Sequence, residues 1–230
     1  MKKRKYYKII LIIFALTCIS SSNSPIKLKV NIPTKVDLYD SLNLGSIGLS
    51  KNAFTYAMTG FNNLTKRGMI HNNILSIIDF SLPSDRKRLF VLNVDLGKVI
   101  FSTYTSHGKN SGKIIPTEFS NRENSNKSSL GFYITGSTYT GKHGESLRLL
   151  GQEEGINDKA LERGIVMHSA SYVGENIVKS QGFIGRSQGC PAIPTNISKS
   201  IITKIKNGSC LFIYSTDKYY TSHSKMIQSV

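Results

Sequence analysis

The segment GFIGRSQGCPAIP carries the side chain best suited to covalent chemistry, the thiol of Cys190. A cysteine nucleophile needs exposure, a group to take its proton, and donors for the oxyanion that forms on the attacked carbonyl. Gly185 and Gly189 permit a tight turn and close backbone approach, while Pro191 and Pro194 stiffen the chain after the thiol. Amides around Gly189 and Cys190 are candidate oxyanion donors, and Ser187 is placed to brace the turn. Cys210 differs, because SCLFIYS reads as a buried strand in which Cys is a small hydrophobe. The two settings disfavour a bridge between them, and two cysteines in a mature chain are few for a disulfide scaffold. By local chemistry alone, a glycine-rich turn that merely contains a cysteine stays open as an alternative.

The proton acceptor must come from elsewhere in the chain. Of His71, His107, His143, His168 and His223, His168 is best placed, at the end of the apolar run Ile165-Val166-Met167. A strand end mounts a side chain rigidly. His107 and His143 each precede a glycine in polar segments and are expected to line the cleft; backbone-bonded loop histidines are the competing reading. A Cys-His metal site would lack clustered third and fourth ligands.

The elements around these residues are mostly strands. RLFVLNVDLGKVIFSTYTS reads as a hairpin about Asp95-Leu96-Gly97, and GFYITGSTYTG, SLRLLG, GIVMHS and CLFIYS as further strands. Residues 108–129, rich in Ser, Asn, Gly and Lys, form a long connection that is either substrate-facing or a disordered insertion. Residues 38–83 read as a small helical cap on the main domain. In it Ser50 caps a helix with an apolar face of Phe54, Met58 and Phe61, a second helix covers 70–78, and Pro83 enforces a break. NISKSIITKIKNG is a short helix anchored by Ile201, Ile202 and Ile205, and a polar tail begins near Thr216.

Residues 1–22 have the layout of a secretory signal peptide: a basic start through Lys8, an apolar run from Ile9 to Cys18, and a small polar stretch. An uncleaved anchor or lipidation at Cys18 would instead tie the chain to a membrane. Residues 23–37 then form a linker. The net charge is +16, and without the five basic residues of the leader 25 Lys plus Arg face 14 Asp plus Glu, a net of +11. Such a surface favours an anionic envelope polymer. No zinc-finger spacing, RNA-binding aromatic motif or Arg-rich arm supports nucleic acid.

The strings YDSLNLGSIGLSKNAFTYAMTG, DFSLPSDRKRLFVLNVDLGKVIF, SHGKNSG, FSNRENSNKSSLGFYITGSTYTGKHGESLRLLG, GIVMHSASYV and GRSQGCPAIP, in that order, resemble the L,D-transpeptidase catalytic domain family, and within it the murein branch. The resemblance runs from about Leu38 to Tyr214. It implies a mainly β fold, an L,D-transpeptidase-like catalytic β-sandwich with marginal helices over residues 84–217; the N-terminal helical cap read at 38–83 packs on it, and the polar tail read from the residues covers 218–230. It also implies Cys190 as nucleophile, His168 as base, Ser187 as the loop serine and Gly189 as the glycine before the nucleophile. The broader family often has an arginine two residues after the cysteine, where this chain has Ala192, and a glycine after the histidine, where it has Ser169. Arg186 is the nearest cation for a substrate carboxylate, with Lys109 and Lys142 more remote. Tyr133, Tyr139 and Tyr172 are candidates to line a peptide cleft, and Ser169 is counted with the substrate contacts. The expected substrate is a peptidoglycan stem peptide, with no cofactor or metal. Transfer to an amine, hydrolysis by a carboxypeptidase, and non-catalytic wall binding stay as alternatives.

Overall fold

The computed structural model describes residues 35–228, so the expected signal peptide and most of the linker lie outside the described residues. The chain forms five helices and eight strands among these residues. Helix α1 (Lys35–Ser41) and α2 (Lys51–Lys66) precede β1 (Ile74–Asp79), β2 (Leu89–Asn93), β3 (Lys98–Thr103), β4 (Gly131–Gly141), β5 (Gly144–Gly151) and β6 (Val166–Ala170). Then follow α3 (Glu175–Gln181), β7 (Ala192–Pro194), α4 (Thr195–Ile205), β8 (Cys210–Tyr214) and α5 (Lys218–His223).

All eight strands join one sheet in the order β3-β2-β1-β8-β4-β5-β6-β7. The pairs β1–β8 and β6–β7 are parallel and the others antiparallel. Past β3 the chain turns toward the far end of this order. The Ser106 amide donates to the Ala192 carbonyl (2.8 Å) and the Ser187 amide to the His107 carbonyl (2.9 Å). The two edges of the sheet thereby approach each other, a near-barrel that leaves little unpaired edge. The fold is the expected mainly β architecture with short marginal helices.

Alternation sets what each face does. Leu147, Leu149, Met167 and Ile193 enter the main core, with Phe132, Phe212 and the apolar stripe of α2. The register pairs Ser146 with His168 and His168 with Ala192, so these three share the opposite face. There a smaller cluster of Ala170, Val173, Ile184 and Ala192 packs with Tyr104 and Tyr172.

Two expectations need correction. The run 70–78, read as a helix, holds β1, a central strand buried along its whole length. Ile74, Ile77 and Ile78 are β-branched and buried on both faces, and a continuous short apolar run does not distinguish the two periods. The helical part therefore ends at α2, whose start Ser50 caps as expected by accepting from the Ala53 amide (3.2 Å). The stretch from Lys218, read as a polar tail, forms α5. Its Tyr220 is buried and donates to Glu153 Oε1 (3.1 Å), while Ser224 bonds Glu153 Oε2 and Met226 and Ile227 are buried. The segment 104–130 carries no strand but is tied down. Ser128 accepts from the Gly108 amide (3.0 Å) and Ser111 Oγ from the Ser128 amide (2.9 Å).

Candidate active site

Cys190 sits on the turn that enters β7. Its side chain is partly exposed, whereas Cys210 is fully buried in β8, and both thiols are free. The Cys190 Sγ accepts from the Val166 amide (3.5 Å) and its S–H points to the Gly164 carbonyl (3.6 Å). The thiol thus lies against the start of β6, the strand that carries His168.

The turn is braced from inside. Ser187 Oγ donates to the Cys190 carbonyl (2.6 Å) and accepts from the Gly189 amide (3.0 Å). Ser106 Oγ also donates to the Cys190 carbonyl (3.4 Å) and accepts from the Ala192 amide (3.1 Å). Gly189 has φ of +123°, and a Cβ there would meet the Lys127 carbonyl at 2.8 Å, so both conformation and space require glycine. The Gly189 carbonyl in turn accepts from Ser128 Oγ (3.3 Å). Ser187 therefore acts on the shape of the turn, and the Gly189 amide, one of the two expected oxyanion donors, is already engaged.

His168 is buried in β6. Its Nδ1 donates to the Ser169 carbonyl (2.8 Å), which leaves the Nε2 lone pair as the acceptor in the neutral ring. His143, from the tight β4–β5 turn, stacks on it with centroids 4.4 Å apart and ring planes at 20°. Ser169 Oγ holds that turn by donating to the His143 carbonyl (3.2 Å). Burial pushes the His168 imidazole below its ordinary value, the Ser169 bond opposes this, and the neighbouring His143 adds to it. Burial raises the Cys190 thiol, against the Val166 amide and the charge of Arg163. Both shifts favour the neutral thiol–imidazole pair at rest.

The remaining expected residues divide. His143 and Ser169 join His168. Arg186 is exposed at the rim, where its Nη1 donates to the carbonyls of Lys109 (3.0 Å) and Gly112 (3.1 Å). His107, expected to line a cleft, is instead withdrawn from the surface. It is fully buried, accepts at Nδ1 from the guanidinium of the equally buried Arg88 (2.7 Å), and bonds the Gly112 carbonyl through Nε2 (3.1 Å). Desolvation and the Arg88 charge push it down to about 4. Tyr133 is also withdrawn, buried in the core with its hydroxyl donating to the Ser129 carbonyl (3.0 Å). Of the other tyrosines, Tyr172 is half-buried near Cys190 and Ser106, while Tyr139 is exposed under the Arg148 guanidinium at 4.6 Å.

Sequence reasoning missed Ser106 and Arg163. Ser106 lies far from the loop in sequence, and nothing local marks it. Arg163 lies in a segment with no periodic mark, and it is half-buried beside the site. Among the described residues no cluster of three or more His, Cys, Asp and Glu is spaced to hold a metal ion, and no helix is long and apolar enough to cross a membrane.

The sequence profile of the L,D-transpeptidase catalytic domain matches residues 46–214, which include every residue of this site. A search of curated proteins gives no match. Among solved structures, the chain is similar to an L,D-transpeptidase from Mycobacterium smegmatis (16% identity, TM-score 0.38, covering 63% of this chain and 59% of that one). It is similar also to L,D-transpeptidase 1 of Mycobacterium tuberculosis (10%, 0.36, 63% and 62%). A third is the helical cell shape determining protein Pgp2 of Campylobacter jejuni, as a K307A mutant (14%, 0.41, 74% and 58%). The chain thus spans about three fifths of the length of these three proteins.

Proposed function

The chain belongs to the L,D-transpeptidase catalytic domain family, and from that premise we propose that it is an exported acyl transferase acting on peptidoglycan stem peptides through a thioester on Cys190. The observation that carries this reading is the setting of Cys190. A partly exposed thiol on a braced turn lies against the strand whose His168 keeps an acceptor lone pair.

In the proposed reaction the resting pair is neutral. The Cys190 S–H turns from the Gly164 carbonyl to His168 Nε2, and Sγ attacks the carbonyl carbon of the third stem residue. The Cys190 amide is the donor proposed for the oxyanion, since the Gly189 amide is committed to Ser187. The C–N bond to the terminal D-alanine breaks, and its nitrogen takes the proton from His168. An amine of a second stem then attacks the thioester and gives its proton to His168, and the sulfur leaves and is reprotonated. Arg186 spends only Nη1 on the protein among the described residues, so its other donors are available to a substrate carboxylate. The net charge of the chain supports an anionic wall polymer as its surroundings, and the basic and apolar leader supports export.

Transfer to water is the second reading, favoured by the partial exposure of the thiol. The test is incubation of the mature protein with purified muropeptides, with and without an amine acceptor, read by intact mass and product mass. A covalent adduct that requires Cys190, and crosslinks that require the acceptor, are expected. Full turnover by Cys190→Ala would end the assignment; release of D-alanine with no crosslink would move it to hydrolysis; wall binding with no adduct would remove it from enzymes.

A further inference from the structure

Arg163 stands directly before Gly164, whose carbonyl faces the Cys190 thiol. Its guanidinium is fixed by four hydrogen bonds, to the Ser120 carbonyl (2.7 Å), Ser129 Oγ (2.5 Å), Ser125 Oγ (3.1 Å) and the Lys127 carbonyl (2.8 Å). Every one of these acceptors is neutral. No carboxylate pairs with Arg163 among the described residues, where the ion pairs are Lys127–Glu118 and Lys179–Glu175. Its Nε is buried and has no partner. The Lys127 carbonyl it grips is also the wall against which Gly189 packs. A rigid, half-buried and unneutralised cation therefore sits one layer from the nucleophile turn.

At the sulfur the local dipoles conflict. The Val166 amide favours a thiolate, and the Gly164 carbonyl opposes it. Burial opposes it further. Other titratable neighbours are His168, neutral at rest, and Tyr172, whose phenol burial keeps un-ionised. The fixed positive charge left to offset these costs is Arg163. Arg186 lies at the rim and is exposed, and at the position two residues after the thiol Ala192 is fully buried against β6.

We propose that Arg163 is a positioning residue that stabilises the Cys190 thiolate as it forms, and that it clamps the 120–129 loop so that its charge is held in place. The proposal rests on the reading of Cys190 as the nucleophile, but its test does not require turnover. The alkylation rate of Cys190 by iodoacetamide is followed by intact mass across pH 6.5–10.5 in the mature chain, with buried Cys210 as the unreactive internal reference. Arg163→Gln is expected to move the thiol midpoint up by about one pH unit, which is about a tenfold slower reaction at pH 8. Arg163→Lys keeps the charge with fewer bonds and is expected to stay within about twofold of the parent. Ser125→Ala loosens one anchor without touching charge and is expected to leave the midpoint in place. An unchanged midpoint in folded Arg163→Gln overturns the proposal. If that variant fails to fold, Arg163→Met replaces it as the charge-removing variant with the same two outcomes, and a tenfold loss in natively folded Arg163→Lys overturns the charge role. A shift seen in Arg163→Gln alongside full turnover by Cys190→Ala would uphold the electrostatics while ending the proposed function.

Discussion

At Cys190 burial pulls against the Val166 amide and the Arg163 charge, and burial wins. The imidazole of His168 is likewise held below its ordinary value by burial. The proposed catalysis by a neutral pair requires His168 unprotonated, so lowering its pKa would move the acid limb of kcat/KM downward. The limb should fall below pH 6.5, and a pH profile of D-alanine release checks it; a midpoint above 6.5 would contradict a neutral resting pair. Ser187→Ala would leave the buried Gly189 amide without its partner and free the Cys190 carbonyl of its shorter brace. A stability loss of about 1–3 kcal/mol is expected by chemical denaturation, and the proposed reaction predicts a drop in turnover as Cys190 shifts. The turn carrying Cys190 and Ser187 and the strand carrying His168 were legible beforehand, because a glycine-flanked thiol and a strand-end histidine are local patterns. Ser106 and Arg163 could not, because their roles come from partners brought together only by the fold. His107 misled for the same reason: a His-Gly pair in a polar segment looks exposed, and only the burial of Arg88 beside it shows otherwise.

The elements carry two further tests. Gly60 lies in the middle of α2, where a Cβ would run into the Phe132 ring of β4. Alanine favours the helix by about 1 kcal/mol, whereas overpacking a filled core costs about 1–3 kcal/mol. Gly60→Ala should therefore destabilise, against its helix propensity, and thermal unfolding will read the sign. The second concerns α5. Glu153 accepts from the Phe132 amide (2.8 Å) and from Tyr220, and it bonds Ser224, so one buried carboxylate fastens the C-terminal segment to β4. Tyr220→Phe should lose about 1–3 kcal/mol in denaturant melts and expose the segment after Asp217 to limited proteolysis. The hairpin β2–β3 and strands β4, β5, β6 and β8 were visible in alternating and β-branched runs ended by glycine. The strand β1 was not, because a continuous apolar run fits either period. Nor was α5, since a polar-looking segment anchored by one tyrosine and one remote glutamate leaves no periodic mark.

For the whole molecule, Arg88 and His107 form a buried centre with consequences for acid stability. Arg88 is held by the carbonyls of Thr105 (3.0 Å) and Leu82 (3.1 Å), faces the Phe80 ring at 4.8 Å, and is itself lowered to about 9. His107, at about 4 when folded, returns to about 6.5 when the chain unfolds. Between those values the unfolded chain binds the extra proton, so stability falls as pH drops from 6.5 toward 4, by about 3 kcal/mol from this group at full effect. Denaturation at pH 7 and pH 4.5 should show the loss, and His107→Gln should reduce the difference between the two. The approach of the sheet's edges has a temporal consequence. Ser106 and Ala192 stand 86 positions apart, and their contact requires the rest of the sheet between them. Long-range closures of this kind come late in folding. A chain still threading or half-assembled therefore holds a slack thiol turn, and reactivity at Cys190 should emerge together with slow amide exchange at Ser187 and Lys109, as the final event of maturation.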